Sequence, residues 1–283
     1  MASFTNFATL SYNGGTTNSN IVTGEILEAL TAVKTAVSAN YSAGDRITYA
    51  LSLVNTGTAA VTDYTVTDNL GGYTVGANTV YPLAYNTGTV RYYINGVLQT
   101  APTVTAGPPL TVTGLTIPAG GSAVLIYETT ATPVAPLATG SSIRNTATIT
   151  GGGLTNPITA QATVETATSA DLTISKALSP TTVTENGQIT YTFVISNTGN
   201  TEATATGNVV VTDTFAPILR NIAVTYNGTA WTEGTNYTYN AATGVFTTLA
   251  GQITVPAATF TQNTDGTFTV TPGTATLVIT GTV

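Results

Sequence analysis

The sequence predicts an all-β fold, and three observations carry that prediction. Thr, Ala, Val, Gly and Asn dominate, and the β-branched runs are broken by Gly, Pro and Asn. Large apolar residues fall at every second position in Ile47-Thr48-Tyr49-Ala50-Leu51-Ser52-Leu53 and in Ile189-Thr190-Tyr191-Thr192-Phe193-Val194-Ile195, the period of a strand with one buried face. Asn-Gly pairs at Asn13, Asn95 and Asn227 supply the positive-φ residues of tight hairpin turns.

At 283 residues the chain is long enough for two domains, each with its own core, and an internal repeat divides it that way. Lys34 recurs as Lys176, Tyr49 as Tyr191 and Asn55-Thr56-Gly57 as Asn197-Thr198-Gly199. Further on, Val66-Thr67-Asp68 recurs as Val211-Thr212-Asp213, and Gly121 to Leu125 as Gly273 to Leu277. The copies differ around Tyr73 to Val90 and Tyr237 to Phe268, where extra strands or long loops are expected. Several short strands per repeat, each closed by a turn signal, point to two tandem immunoglobulin-like β-sandwich domains. The expected boundaries are an N-terminal arm over 1–28, a first domain over 29–168 and a second over 169–283. Gly24 to Lys34 also fits a short helix through Ile26, Leu27 and Leu30, but its counterpart Ala170 to Lys176 reads as strand, and strand is preferred.

Composition excludes several functions. Without His or Cys the chain lacks the usual metal ligands, the Ser-His and Cys-His nucleophile pairs, and disulfides; no cofactor is implied. Six Lys and Arg at a net charge of −7 rule out a basic groove for nucleic acid. No apolar run reaches the roughly eighteen residues of a membrane span. The start has no charged region followed by an apolar one, so no signal peptide is recognised. With only 7% charged residues the surface must be mostly Thr, Ser and Asn, which suits an extracellular setting.

The N-terminal arm resembles the end of a domain. Asn6-Phe7-Ala8-Thr9-Leu10-Ser11, a turn at Asn13-Gly14-Gly15 and Asn20-Ile21-Val22-Thr23 repeat a later theme. That theme is Asn145-Thr146-Ala147-Thr148-Ile149-Thr150, a Gly151-Gly152-Gly153 turn and Asn156-Pro157-Ile158-Thr159. The later copy closes the first domain, and no such hairpin follows in the second. The expectation is a donor hairpin that adds strands to the open second domain of another copy, giving a head-to-tail homopolymer.

The run Lys176…Gly187-Gln188-Ile189-Thr190-Tyr191…Ile195-Ser196-Asn197-Thr198-Gly199…Val210-Val211-Thr212-Asp213, with Asn145-Thr146-Ala147-Thr148 in the first copy, resembles the conserved-repeat domain of bacterial surface proteins. That family has immunoglobulin-like folds and includes major proteins of clostridial endospore appendages. The resemblance implies a structural role at a cell or spore surface, with other surface or anchoring proteins as further partners. The absence of a recognisable wall-sorting tail favours a polymer subunit over a wall-anchored adhesin. A second reading, adhesion or glycan binding, rests on the cluster Tyr81, Tyr85, Tyr92 and Tyr93, although such tyrosines serve more often as core.

One constellation carries chemistry. The only lysines, Lys34 and Lys176, share strand parity with inward apolar residues. Asp68 and Asp213 do the same, as do Asn145 and Asn6. Burying a lone charge is costly, so complementary polar residues on one inward face are expected to meet. Lysine, made a neutral amine by desolvation, can attack an asparagine amide and form an isopeptide bond while the acid shuttles the proton. The candidate sets are Lys34, Asp68 and Asn145 within the first domain, and Lys176 and Asp213 with Asn6 of an incoming copy in the second. Glu128 and Glu185 are alternative acids. The plainer alternative is a hydrogen-bonded Lys-Asp pair beside an ordinary strand asparagine.

Overall fold

The computed structural model of the chain describes residues 2–26 and 29–283, and its regular structure is strand apart from one 3-10 turn at Ala205–Gly207. Two separate hydrophobic cores form, one from residues between Leu30 and Val164 and the other from residues between Ile189 and Ile279. Val22–Ile26 and Leu30–Ala36 are strands, so the helical alternative fails over the described part of that stretch; Leu27 and Glu28 lie outside the described residues.

Around the first core two sheets face each other. One runs Leu30–Ala36, Arg46–Asn55, Ser122–Ala131, Arg91–Ile94, Val97–Leu98, with Leu83–Tyr85 also on Ser122–Ala131. The other runs Thr103–Thr105, Leu110–Ile117, Val61–Asp68, Ser142–Gly151, Ile158–Thr166, Asn40–Tyr41. Alternation sets their faces: Ile47, Tyr49, Leu51 and Leu53 are fully buried while their neighbours point away. The long insertion becomes a small hairpin, Tyr73–Val75 with Asn78–Val80, plus the Leu83–Tyr85 strand.

The second domain keeps the first of these sheets and only part of the other. Its five-stranded sheet runs Leu172–Ser179, Gln188–Asn197, Gly273–Thr282, Arg220–Tyr226, Thr229–Trp231. The facing sheet has three strands, Thr212–Thr214, Val245–Thr248 and Tyr237–Asn240. Thr212–Thr214 stands where Val61–Asp68 stands in the first domain, and its second edge has no neighbour among the described residues. The places that Ser142–Gly151 and Ile158–Thr166 fill in the first domain are vacant here. The vacancy uncovers an apolar stripe: Leu30 is 3% exposed, whereas Ile174 on the matching strand is 55% and Leu178 38% exposed.

Each repeat is pinned at equivalent points. The buried Asn197 amide donates to Thr201 O (2.7 Å) and Pro256 O (3.0 Å) and accepts from Asp171 N (3.0 Å) and Gly199 N (2.9 Å). Asn55 does the same for Ala59 O, Pro118 O and Gly57 N. Gly199 must be glycine, because a Cβ would lie 2.2 Å from Ser169 O on the chain entering the domain. A third pin has no local signal in the sequence: the Tyr92 and Tyr226 hydroxyls donate to Thr116 O and Thr254 O and accept from the backbone N–H of the same residues.

The two domains touch. Asn200 donates to Leu137 O (2.9 Å) and Ala167 O (2.8 Å) and accepts from Ser169 N (3.1 Å). A two-stranded flap, Thr259–Gln262 with Phe268–Thr271, reaches the first domain, where Gln262 donates to the Tyr73 hydroxyl at 2.8 Å.

The N-terminal arm is a hairpin in two parts. Ala2–Asn6 pairs with Val22–Ile26 and Thr9–Tyr12 with Gly15–Asn18, around Asn13 and Gly14 at φ +50 and +84. Between the pairs Asn6–Val22 and Thr9–Asn18, two residues face three, so a bulge carries one extra residue on the returning strand. The pairing register also corrects the sequence alignment of that strand by four residues. Asn145 pairs with Ala162 and Asn6 with Val22, so Val22 matches Ala162 and not Ile158. All side chains from Phe4 to Thr23 are exposed, so this hairpin packs on neither core.

Asn197→Ala removes four hydrogen bonds at once and leaves buried carbonyls unpaired. It is expected to lower unfolding free energy by about 3 kcal/mol, read from the denaturant midpoint. A shift below about 0.5 kcal/mol would show that the loops hold without it.

Candidate functional site

The structure brings Lys34, Asp68 and Asn145 into one buried cluster between the two sheets of the first domain. Lys34 projects from Leu30–Ala36, and Asp68 and Asn145 stand on adjacent strands of the facing sheet, where Ala147 pairs with Asp68. The Lys34 side chain is 0% and Asp68 1% exposed, with Nζ 2.5 Å from Asp68 Oδ2. The same oxygen accepts from the Tyr127 hydroxyl, and Oδ1 accepts from Leu70 N at 2.9 Å. Tyr49 and Tyr127 stack at 5.8 Å between centroids and wall the ammonium, which lies 4.8 Å from the Tyr49 ring centre.

Two members of this cluster are left unpaired, the Tyr49 hydroxyl and the Asn145 amide, and Asn145 is the more costly. It is fully buried, and neither its Oδ1 nor its Nδ2 has a hydrogen-bond partner. Its amide lies near enough to the Tyr49 and Tyr127 hydroxyls to ease their deprotonation, yet in hydrogen-bonding geometry to neither. An unpaired buried amide costs about 1–3 kcal/mol, and such a group in a packed core requires a reason.

Burial sets the protonation of this cluster. Desolvation pulls the Lys34 ammonium down to about 8 from an ordinary 10.5, and the Asp68 charge only partly opposes it. A neutral amine is therefore accessible near neutral pH. Burial, reinforced by Asp68, pushes both tyrosine hydroxyls up and keeps them protonated. An amine, a carboxylate and a carboxamide are the residue types of an intramolecular acyl transfer, in which the amine nitrogen would displace the amide nitrogen from Cγ and ammonia would carry away the displaced nitrogen with the lysine proton. Asp68 is placed to carry the proton. Tyr127 was missed from the sequence, where it reads as one more inward residue of a strand. Glu128 pairs at the surface with Arg46 (3.7 Å) and Glu185 is exposed, so neither takes the acid's place.

The second domain departs from the expectation that its lysine and acid point into a closed core. Lys176 does pair with Asp213, and its Nζ lies 4.4 Å from the Tyr191 ring centre, but their side chains are 39% and 19% exposed. The physical reason is the open edge beside Thr212–Thr214: parity puts both residues on the inward face, and among the described residues no strand lies over that face. Ile279 pairs with Tyr191 where Tyr127 pairs with Tyr49, so the second pair has no tyrosine donor. Asn6 is not near them; it stands exposed in the N-terminal hairpin. Of the tyrosine cluster, Tyr92 is 5% exposed, Tyr81 and Tyr85 are half-buried against the first core, and Tyr93 is half-buried beside them in sequence.

In Asn145→Ala no transfer is available and Lys34 keeps its amine. Its folded-state pKa lies below its unfolded one, so the unfolded chain binds the extra proton and stability rises with pH between about 8 and 10.5. The denaturant midpoint of Asn145→Ala should rise from about pH 7 to about pH 10 relative to Asn145→Ala/Lys34→Met. Parallel pH profiles would place the ammonium in solvent.

No family model and no curated protein sequence matches the chain. Solved structures with a similar arrangement include the pilus backbone of Streptococcus pneumoniae, at 13% identity over 86% of this chain and 55% of that one, TM-score 0.36. The major pilin subunit of Bacillus cereus matches at 14% identity over 96% of this chain and 73% of that one, TM-score 0.35. A collagen-binding domain of a Staphylococcus aureus adhesin matches at 14% identity over 50% of this chain and 99% of that one, TM-score 0.31. The chain thus spans little more than half of the pneumococcal protein's length. Likenesses this distant carry no functional argument, and the functional reading rests on the geometry above.

Proposed function

We propose that this protein is a non-enzymatic structural subunit of an extracellular filament at a cell or spore surface. Copies join head to tail when the N-terminal hairpin of one enters the vacant place in the second domain of the next. The supporting observation is the fit between a vacancy and a preformed insert. The vacancy is two strands wide, beside Thr212–Thr214 and over Ile174 and Leu178. The insert is a two-stranded hairpin whose Phe4, Leu10 and Val22 are 54%, 65% and 56% exposed. Burying each such side chain stabilises by about 1.5–3 kcal/mol, and edge pairing adds backbone hydrogen bonds. In the seating proposed, which takes Asn6 as the sequence counterpart of Asn145, Ala8 would face Asp213 as Ala147 faces Asp68. Phe4 lies over Gly24, where Ile143 faces Val164 in the first domain, so a large residue against none replaces two of middle size.

Docking would also complete the second reactive set. Covering Lys176 desolvates it as Lys34 is desolvated, and Asn6 arrives beside it with Asp213 in the acid's place. A Lys176–Asn6 isopeptide bond then joins one copy to the next, while a Lys34–Asn145 bond braces each first domain internally. Adhesion or glycan binding is the second reading, and of its four tyrosines Tyr92 is buried while Tyr81, Tyr85 and Tyr93 are half-buried.

Filaments boiled in detergent and denaturant should run as a ladder of covalent multimers, with loss of one ammonia per bond in the intact mass. Asn6→Ala and Lys176→Ala should each collapse the ladder to monomer, and Asn145→Ala should leave it in place. Wild-type filaments that boil down to monomer without loss of ammonia would leave the lysines as structural residues only.

Deleting residues 1–29 should give folded protein that does not polymerise, as seen by electron microscopy, but accepts added full-length hairpins. Filament growth by the truncated chain would exclude the hairpin as the connector.

A further inference from the structure

The joint between the two domains uses a surface that the first domain also presents, unoccupied, at its far pole. At the internal joint, the loop that opens Thr198-Gly199-Asn200 in the second domain faces Ser42, Ala43, Leu137 and Thr166 of the first. The matching loop of the first domain, Thr56-Gly57-Thr58, lies at the other end of its sandwich. There it lines, with Leu154 and Ile158, a groove of about 730 Å3. Ser42-Ala43 likewise has a counterpart in the second domain, Thr184-Glu185. These residues line a groove of about 630 Å3 with Pro180, Val183 and Val283. The equivalence is structural as well as sequential: Ala131 N donates to Asp45 O, and Val283 N to Gly187 O.

We infer that these two grooves are halves of one interface, closed between copies, in which the Thr56–Thr58 loop of one copy seats on the Thr184–Asn186 turn of another. The inference rests on the head-to-tail reading and adds to it a specific contact between domain bodies. Chain length agrees with it. In the first domain the last closing strand ends at Thr166 and the next domain begins at Leu172. In the hairpin the strand matched by register ends at Ile26, and the domain begins at Leu30. The connection is thus two residues shorter than the internal one, so a docked hairpin must bring the two poles together.

This joint is built like the internal one, with two of its ties missing. Asn200, whose amide donates twice across the internal joint, to Leu137 O and Ala167 O, is Thr58 at the matching position. The flap whose Gln262 reaches Tyr73 has no counterpart in the first domain, where Pro118 to Gly121 turns directly between the equivalent strands. The joint between copies is therefore the looser of the two, and the filament bends once per subunit.

The chain has no cysteine, so introduced pairs report cleanly. Thr56→Cys and Glu185→Cys, made in separate chains and mixed before assembly, should be joined by a bis-maleimide of about 10 Å reach; mass spectrometry should recover a peptide linking positions 56 and 185. Ala43→Cys/Thr198→Cys within one chain is the internal standard. Filaments that form without the 56–185 link, while the internal standard links, overturn the joint and leave hairpin exchange standing. Failure to form filaments at all removes both. In electron micrographs the angle between copies should vary more than the angle within them, and Thr58→Asn should narrow that spread. Equal spreads in the wild type would overturn the looser joint.

Discussion

The ammonium of Lys34, carried into the centre of a sandwich, is the constraint around which the first domain is arranged. A charge in that position is tolerable only if a carboxylate meets it and both are otherwise satisfied. Asp68 does so from the opposite sheet, held by Leu70 N and the Tyr127 hydroxyl. That fixes the stagger of the two sheets, because Lys34 and Asp68 stand on different ones. The strand over the pair must then carry a side chain that tolerates a charged neighbour. Asn145 fills that place and makes no hydrogen bond of its own. The Tyr49 hydroxyl beside it is unpaired as well, so the polar cost of the cluster falls on these two residues while Lys34, Asp68 and Tyr127 are satisfied.

The second domain shows what the constraint is worth by lacking part of the solution. The same lysine and the same aspartate meet, but the strand that should cover them is absent among the described residues, and water reaches both. The apolar stripe of Leu172–Ser179 is open for the same reason. An uncovered strand edge beside an apolar stripe is a hazard for any soluble protein unless something is meant to occupy it. The N-terminal hairpin has the complementary defect, being paired within itself and packed on nothing.

Much of this was legible in the sequence, for identifiable reasons. Alternation in Ile47–Leu53 and Ile189–Ile195 fixed the faces of the central strands, and the parity of Lys34, Asp68 and Asn145 placed all three inside. Parity says which side a residue takes, however, and not whether a neighbouring strand lies over it, so the exposure of Lys176 could not be read. The bulge between Ser19 and Ile21 also escaped notice. Matching Asn20 to Asn156 by letter put the returning strand four residues out of register, more than the one-residue bulge accounts for, because the letters alone carry no pairing information. Tyr127 hid in plain alternation, its hydroxyl reaching Asp68 only once the two sheets are stacked. The reach of Gln262 to Tyr73 spans domains and has no local signal at all.

If copies join as proposed, the bare edge of Thr212–Thr214 would give the assembled object a direction. In any row of copies joined through it, every interior edge is filled and every interior hairpin is housed. The two tips differ: one displays an unhoused hairpin, the other an unfilled edge. Addition at one tip requires the newcomer's hairpin, at the other its second domain, so the two tips grow through different encounters and at different rates. A protein carrying only the hairpin would stop one tip, and a protein carrying only the vacant sandwich would stop the other. Attachment to a surface and termination of growth can thus be assigned to opposite ends by two simple proteins, with no change to the repeating unit.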